Sequence, residues 1–274
     1  MILYWYLLLS IISIVIILYT LRTHKDGRII VLFFAISGII YPFELIVLIY
    51  TEAYTYELGI FNNIYKDSVV GNFVSNLLAV PAASLWIAVN HIKKRWYFPI
   101  AFLFVVIELT FVNLGIFERN WWKTYYTFLL LPIHFYLSTL AWNKLNTYSN
   151  KQVSAIVKWL LLYFACVSSQ GFLTFTTLGA YETINYQINL YENSFRNHLS
   201  LSVPLLFLYS LAISFGIVKR VKKRLVLCTI LLFNAMLMLL HLLYFTHPVY
   251  FAVFHLEILI ILYLIEHFRH RLQT

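Results

Sequence analysis

A carboxylate, Glu108, stands inside an apolar run, and the stretch after it, to Thr127, holds Gly115, Glu118, Arg119, Trp121, Trp122 and Lys123. This pattern reads as the outer corner of a helical hairpin with an acid beneath it. Other polar groups also interrupt apolar runs: Glu44, Asn72, Asn76, His134, Gln170, Asn234, His241, His255 and Glu257. An ionisable residue at a bilayer centre costs about 2.5–3.5 kcal/mol on insertion scales, so each one needs a reason. At 1.5 Å of rise per residue, Glu108 lies roughly 16 Å and Glu44 about 22 Å from the inner ends of their runs. His134 and Glu257 come near the middle, His241 and His255 in the outer third, and the inner half keeps only Asn234. Such a skew suits a polar cavity that opens outward and is closed on the inner side by apolar packing.

Those groups can do three kinds of chemistry. A titratable acid near a histidine is what a proton relay needs. The same groups can instead hydrogen-bond between helices and act as structural glue. Three histidines with carboxylates at similar depth would suit a divalent ion. Against a metal, no HxxxH or HxxE pair occurs, and His255 and Glu257, two apart, point to nearly opposite sides of a helix. The reading is therefore no metal site and no cofactor. Gly71, Ser75, Ala79 and Ala83 recur every four residues as a small-residue ridge for close helix packing. Trp121, Trp122 and Lys123 at a span end read as interface anchors.

The elements that position these groups follow from composition. Of 274 residues, 62% are hydrophobic and 11% charged, against about 25% charged in soluble domains, which places the chain in the membrane class. A crossing helix needs about 20 apolar residues. Nine runs qualify: 2–21, 29–50, 70–90, 97–117, 124–142, 154–178, 200–218, 225–245 and 248–267. The expectation is a single all-α polytopic bundle over 1–274. Thr246-His247-Pro248 alone separates the last two runs, so eight spans is the competing count. Basic residues decide between them. Arg22/Lys25/Arg28, His91/Lys93/Lys94/Arg95, Lys144/Lys151, Lys219 to Arg224 and Arg269/Arg271 all share one side only with nine spans, N-terminus outside and C-terminus inside. The net charge of +9 is thus a topology signal, and nucleic acid is excluded as a partner.

Two outer loops, 51–69 and 179–199, are long and rich in Tyr and Asn. Leu58-Gly-Ile-Phe61, Leu114-Gly-Ile-Phe117 and Leu178-Gly-Ala-Tyr181 echo one another and suggest a duplicated two-helix unit. Cys166 and Cys228, both inside apolar runs, suit packing rather than a disulfide.

Glu57-Leu-Gly-Ile-Phe61, Glu108, Leu114-Gly-Ile-Phe117, Trp122-Lys123 and Tyr126-Thr127 carry a resemblance. From about residue 30 to 143 the chain resembles an uncharacterised family of small multi-pass membrane proteins from spore-forming Firmicutes. The resemblance implies the plasma membrane of a Gram-positive bacterium and carries no activity with it. No GxSxG, HExxH or phosphate-cradling glycine loop is present, which leans against an enzyme. Three functions stay open: a transporter or channel using the outward cavity, a scaffold or sensor that binds through the outer loops, and an intramembrane enzyme acting on lipid. The partners implied are the bilayer and a second copy or another membrane protein.

Overall fold

The structure, a computed structural model, describes residues 2–146 and 151–272. Its helices are α1 (Ile2–His24), α2 (Arg28–Glu44), α3 (Ile64–Val74), α4 (Val80–Val89), α5 (Tyr97–Asn113), α6 (Thr124–Asn146), α7 (Lys151–Thr174), α8 (Ser194–Val218), α9 (Lys223–Leu239) and α10 (Pro248–Arg271). π-Turns at Leu45–Tyr50 and Phe175–Gly179 extend α2 and α7, and a third, Ser75–Ala79, joins α3 and α4 into one rod. Seven of the helices among the described residues are long and apolar enough to cross a membrane. The rods α6 and α9 lie outside that set. α9 has only 17 residues, and α6 carries Thr, Tyr, Pro and His along its length.

All-helical architecture holds, with one addition that hydropathy does not announce. Four three-residue strands form two antiparallel ladders. β1 (Tyr54–Tyr56) pairs with β2 (Phe117–Arg119), and β3 (Ile184–Tyr186) pairs with β4 (Leu243–Phe245). Both ladders sit at one end of the bundle. At the other end the basic connections meet: Arg28 lies over Trp142 and reaches the Leu145 carbonyl, Arg269 reaches the Ile217 carbonyl, and Lys223 pairs with Glu266. The expected basic connection of Lys144 and Lys151 falls in part outside the described residues.

The order helix, strand, long rod, helix, strand, helix occurs twice. Unit one is α2, β1, α3/α4, α5, β2 and α6; unit two is α7, β3, α8, α9, β4 and α10, with α1 placed before both. Both α5 and α9 have 17 residues, and each is followed by a residue of left-handed backbone, Gly115 (φ 66°) and His241 (φ 56°). That conformation closes a helix end by satisfying its last carbonyls. Glu182 stands 130 positions after Glu52 (182 less 52), and the same interval relates Lys66 to Arg196, Asn63 to Asn193 and Tyr50 to Ala180.

Contacts across the two units are reciprocal. Lys66 Nζ pairs with Glu182 at 2.7 Å and donates to the Ala180 carbonyl at 3.3 Å. Arg196 pairs with Glu52 at 2.9 Å and donates to the Tyr50 carbonyl at 3.1 Å. A contact returned with its partners exchanged is the mark of a twofold relation. That axis runs between α2 and α7. There Ser168 Oγ donates to the Phe34 carbonyl at 2.6 Å. In the exchanged pair, Gly38 meets the Phe164 carbonyl so closely that a Cβ would stand 1.9 Å from its oxygen. Only glycine allows that approach, and close backbone approach is how helices associate without a hydrophobic driving force. Ile29, Leu32, Ile36, Leu162, Ala165, Ile258 and Ile261 are buried in the seam where α10 joins the two axial helices.

Several sequence expectations are corrected by this arrangement. The repeat is a four-rod unit, not a two-helix one. Gly59 (φ 71°) lies in the loop after β1, and Gly179 sits inside a π-turn, so only Gly115 of the three echoes is a left-handed helix stop. His241 is exposed in the turn after α9 rather than within a span. The apolar run 225–245 overshoots because Leu243 and Phe245 are buried as strand residues. Spans 70–90 and 200–218 begin late, since the polar first turns of α3 and α8 fold as helix. The span 97–117 likewise includes Phe117 of β2.

Candidate functional site

Unit one holds an open-mouthed cavity of about 250 Å³ between α2, α3/α4, α5 and α6, roofed by the first strand ladder. The sequence builds its roof locally. Asn63 caps α3 by accepting from the Tyr65 amide at 3.0 Å. One turn later Asp67, 4% exposed, accepts from the amides of Leu58, Gly59, Ile60 and Phe61 at 2.5–3.1 Å. Ser68 Oγ accepts from the Tyr56 amide at 3.1 Å. A single carboxylate thereby fixes the loop that carries Tyr54 and Tyr56 onto the cavity.

Glu44 is 5% exposed at the end of α2. Its carboxylate accepts from Tyr54 Oη at 2.8 and 2.9 Å and from Asn76 Nδ2 at 2.9 Å. Asn76 uses its other amide hydrogen on Asn72 Oδ1 at 2.8 Å. All of these donors are neutral, and no Lys or Arg is paired with Glu44 among the described residues. Glu108, on α5, accepts from Thr124 Oγ1 at 2.9 Å and from Thr127 Oγ1. Arg119 Nη1 stands 3.9 Å from it, and the Glu108 side chain is 9% exposed. His134, on α6, lines the same cavity with its Nε2 buried and unpartnered. The structure therefore brings Glu44, Asn76, Glu108 and His134 to one space, four of the groups singled out from the sequence.

It does not bring the remaining ones there. Glu257 accepts from Thr174 Oγ1 at 3.1 Å and from Thr177 Oγ1, linking α10 to α7. His255 Nδ1 lies 2.7 Å from the Phe251 carbonyl and its Nε2 3.2 Å from Asn234 Nδ2. Gln170 Oε1 accepts from Ser210 at 3.4 Å. Gln170 also lines a smaller cavity of about 110 Å³ on the axis between the units, together with Glu44, Tyr41 and His198.

Two packing expectations also change. Trp122 is 7% exposed, stacked edge-on with Tyr54 at 5.4 Å and donating to Thr127 Oγ1 at 3.0 Å, so it is part of the cavity roof rather than an interface anchor. Trp121 is 44% exposed and Lys123 is exposed. The ridge of Gly71, Ser75, Ala79 and Ala83 is not one continuous stripe. The π-turn at 75–79 shifts its register, Gly71 faces Tyr56 and Leu58 of the loop, and Ala79 lines the cavity. Among the described residues no three His, Cys, Asp or Glu side chains are close enough to share a metal ion.

The loops 51–69 and 179–199 hold the reciprocal ion pairs, and Arg196 lies over the Tyr191 ring at 3.6 Å. Sequence reading missed Tyr54, Asp67, Arg196, Asn197, His198 and Tyr209. A findable signal existed. Asn63-Ile-Tyr-Lys-Asp-Ser68 and Asn193-Ser-Phe-Arg-Asn-His198 match in character at every position but one or two. In the second, Asn197 accepts from the amides of Leu190 and Tyr191, and His198 Nδ1 accepts from the Tyr186 amide at 3.0 Å.

The fold and this site define a helical bundle whose seven membrane-length helices, among the described residues, are compatible with a multi-pass membrane protein, with a largely apolar cavity edged by Glu44, Asn76, Glu108 and His134 in its first unit. Models of protein families, curated proteins and solved structures were compared with the chain, and none matches.

Proposed function

We propose that the protein is a transporter or channel of the plasma membrane, N-terminus outside, whose path for a proton or small solute passes through the cavity of unit one. One observation carries the reading: two acids, Glu44 and Glu108, and the unpartnered His134 converge on one cavity among helices of membrane length, and ionisable groups within a bilayer are costly. Parallel repeats about an axis along the membrane normal are a transporter architecture, and they allow one unit to rock against the other. The reciprocal pairs Lys66–Glu182 and Arg196–Glu52 lie where that rocking would be held. A Gram-positive host rests on the resemblance of residues 30–143 alone.

The test is charge movement in proteoliposomes under an imposed pH gradient. Native protein is expected to carry a current that Glu108→Gln removes while leaving insertion and thermal unfolding in place. No current above empty liposomes from the native protein overturns the reading.

A further inference from the structure

The cavity has an electrostatic imbalance that points to its ligand. Glu44 is almost fully buried, yet its hydrogen bonds come from a phenol and an amide only. A buried carboxylate without a cation is costly unless something else supplies the charge. Glu108 has Arg119 at 3.9 Å, and that guanidinium is 31% exposed and bonded to Thr124. Two carboxylates thus face the cavity, and the one cation near them, Arg119, is paired with Glu108, which leaves Glu44 without one. Aromatic faces complete the wall, with Tyr54, Tyr56, Phe111, Phe117 and Trp122 all lining it. Aromatic rings attract a cation through their negative faces, more strongly where water is absent.

The opening has a different character. Phe43 on α2 and Leu130, Ile133 and Leu137 on α6 line the cavity and are themselves 37–55% exposed. Apolar, exposed side chains at the mouth and acids at the depth make a site with a greasy entrance and an anionic end.

Unit two supplies an internal control. At the position of Val80, which lines the cavity in unit one, α8 carries Tyr209. The interval between the units drops by one there because the π-turn at 75–79 has no counterpart in α8. Tyr209 is 3% exposed, donates to Asn234 Oδ1 at 2.5 Å and packs edge-on against Phe254 at 6.0 Å. Asn234 occupies in α9 the place that Glu108 occupies in α5, the twelfth residue of a 17-residue helix. Where the space is filled, the acid is replaced by a neutral amide. The α5 acid and the space beside it thus occur together in unit one, whereas unit two keeps its buried acid, Glu257, bonded to Thr174 and Thr177, and its Tyr186, Tyr209 and Phe254 border only the smaller cavity on the axis.

We infer that the unit-one cavity binds a small organic cation, an amine on an apolar body, with its ammonium against Glu44 and its body among the aromatic side chains. The inference rests on the solute path proposed above and names the class of solute. An anion is disfavoured by both acids.

The experiment uses full-length protein in nanodiscs and measures equilibrium binding of benzylamine and of its neutral near-isostere benzyl alcohol, corrected against empty nanodiscs. The native protein is expected to prefer the amine by at least tenfold. Glu44→Gln, which keeps the hydrogen-bonding shape, should erase that preference. Val80→Tyr, which copies the filled unit, should lose both ligands, and Glu257→Gln should keep the native preference. Equal binding of amine and alcohol by the native protein overturns the inference without any variant, and so does a preference that survives Glu44→Gln. Amine binding without flux would overturn transport and keep the ligand class. A proton current without amine preference would do the reverse.

Discussion

The two four-helix units share a backbone plan and differ in what they enclose. Unit one surrounds about 250 Å³ edged by Glu44, Asn76, Glu108 and His134. Unit two places Tyr186, Tyr209 and Phe254 in its interior, all at most 3% exposed, and joins its polar groups to one another through Tyr209, Asn234 and His255. After a duplication, one copy can keep an unstable, ligand-ready interior while the other supplies the rigid half. Buried polar groups serve both ends. Fully satisfied networks rigidify, and a buried polar group without a partner, such as His134 Nε2, calls for an explanation.

The largest effect should come from opening the filled unit. Tyr209→Ala removes a buried aromatic side chain and should cost about 3–5 kcal/mol of stability. Tyr209→Phe, which loses only the bond to Asn234, should cost about 1 kcal/mol. Thermal or denaturant unfolding in detergent reads both, and equal costs would show that unit two is not packed as described. Next comes the roof. Asp67→Ala strands four amides and should cost about 2–4 kcal/mol, whereas Asn197→Ala, which strands two, should cost about 1–2 kcal/mol. A reversed order would break the equivalence drawn between the two loops.

Smaller effects sharpen the reciprocity of the ion pairs. Arg196 is buried and bonded to the carbonyls of Ile49 and Tyr50, so Arg196→Met should destabilise by about 2–3 kcal/mol. Lys66→Met faces Glu182, which is 53% exposed, and should cost under about 1 kcal/mol. The double variant should cost close to the sum if the two pairs act independently, and a different total would measure coupling between the units. The smallest effect lies at the basic end. Burial would raise the Asp26 carboxyl, but hydrogen bonds and charge from Arg28 outweigh it and hold the group below the usual carboxylate range. Its contribution is present above the ordinary carboxylate pKa and is lost as pH falls through the lowered folded value. Asp26→Asn should therefore unfold slightly more easily at neutral pH and match the native protein in strong acid.

Much of the bundle was legible because composition and charge act over whole segments. Apolar runs marked the rods of the bundle, of which seven among the described residues are long and apolar enough to cross a membrane. What escaped were features set by single residues. Leu243, Phe245 and Phe117 are apolar strand residues that hydropathy merges into the preceding helix. Trp122 reads as an anchor by residue type, while its buried indole N–H has a partner in Thr127. Glu44, Glu108, His134 and Asn76 were found by polarity inside apolar runs, a cue that cannot separate them from Glu257, which meets two threonines as Glu108 does but lies outside the cavity. The four-rod period was hidden because few identities persist across 130 positions, although the Asn63 and Asn193 segments preserve its pattern.

The central claim is that the open unit works and the filled unit supports it. Its most direct measurement is the pH-driven current in proteoliposomes of native protein, Glu108→Gln and Glu257→Gln, at matched reconstitution. The account predicts a current that disappears with Glu108→Gln and persists with Glu257→Gln. Loss with Glu257→Gln alone, or equal currents in all three, would contradict it.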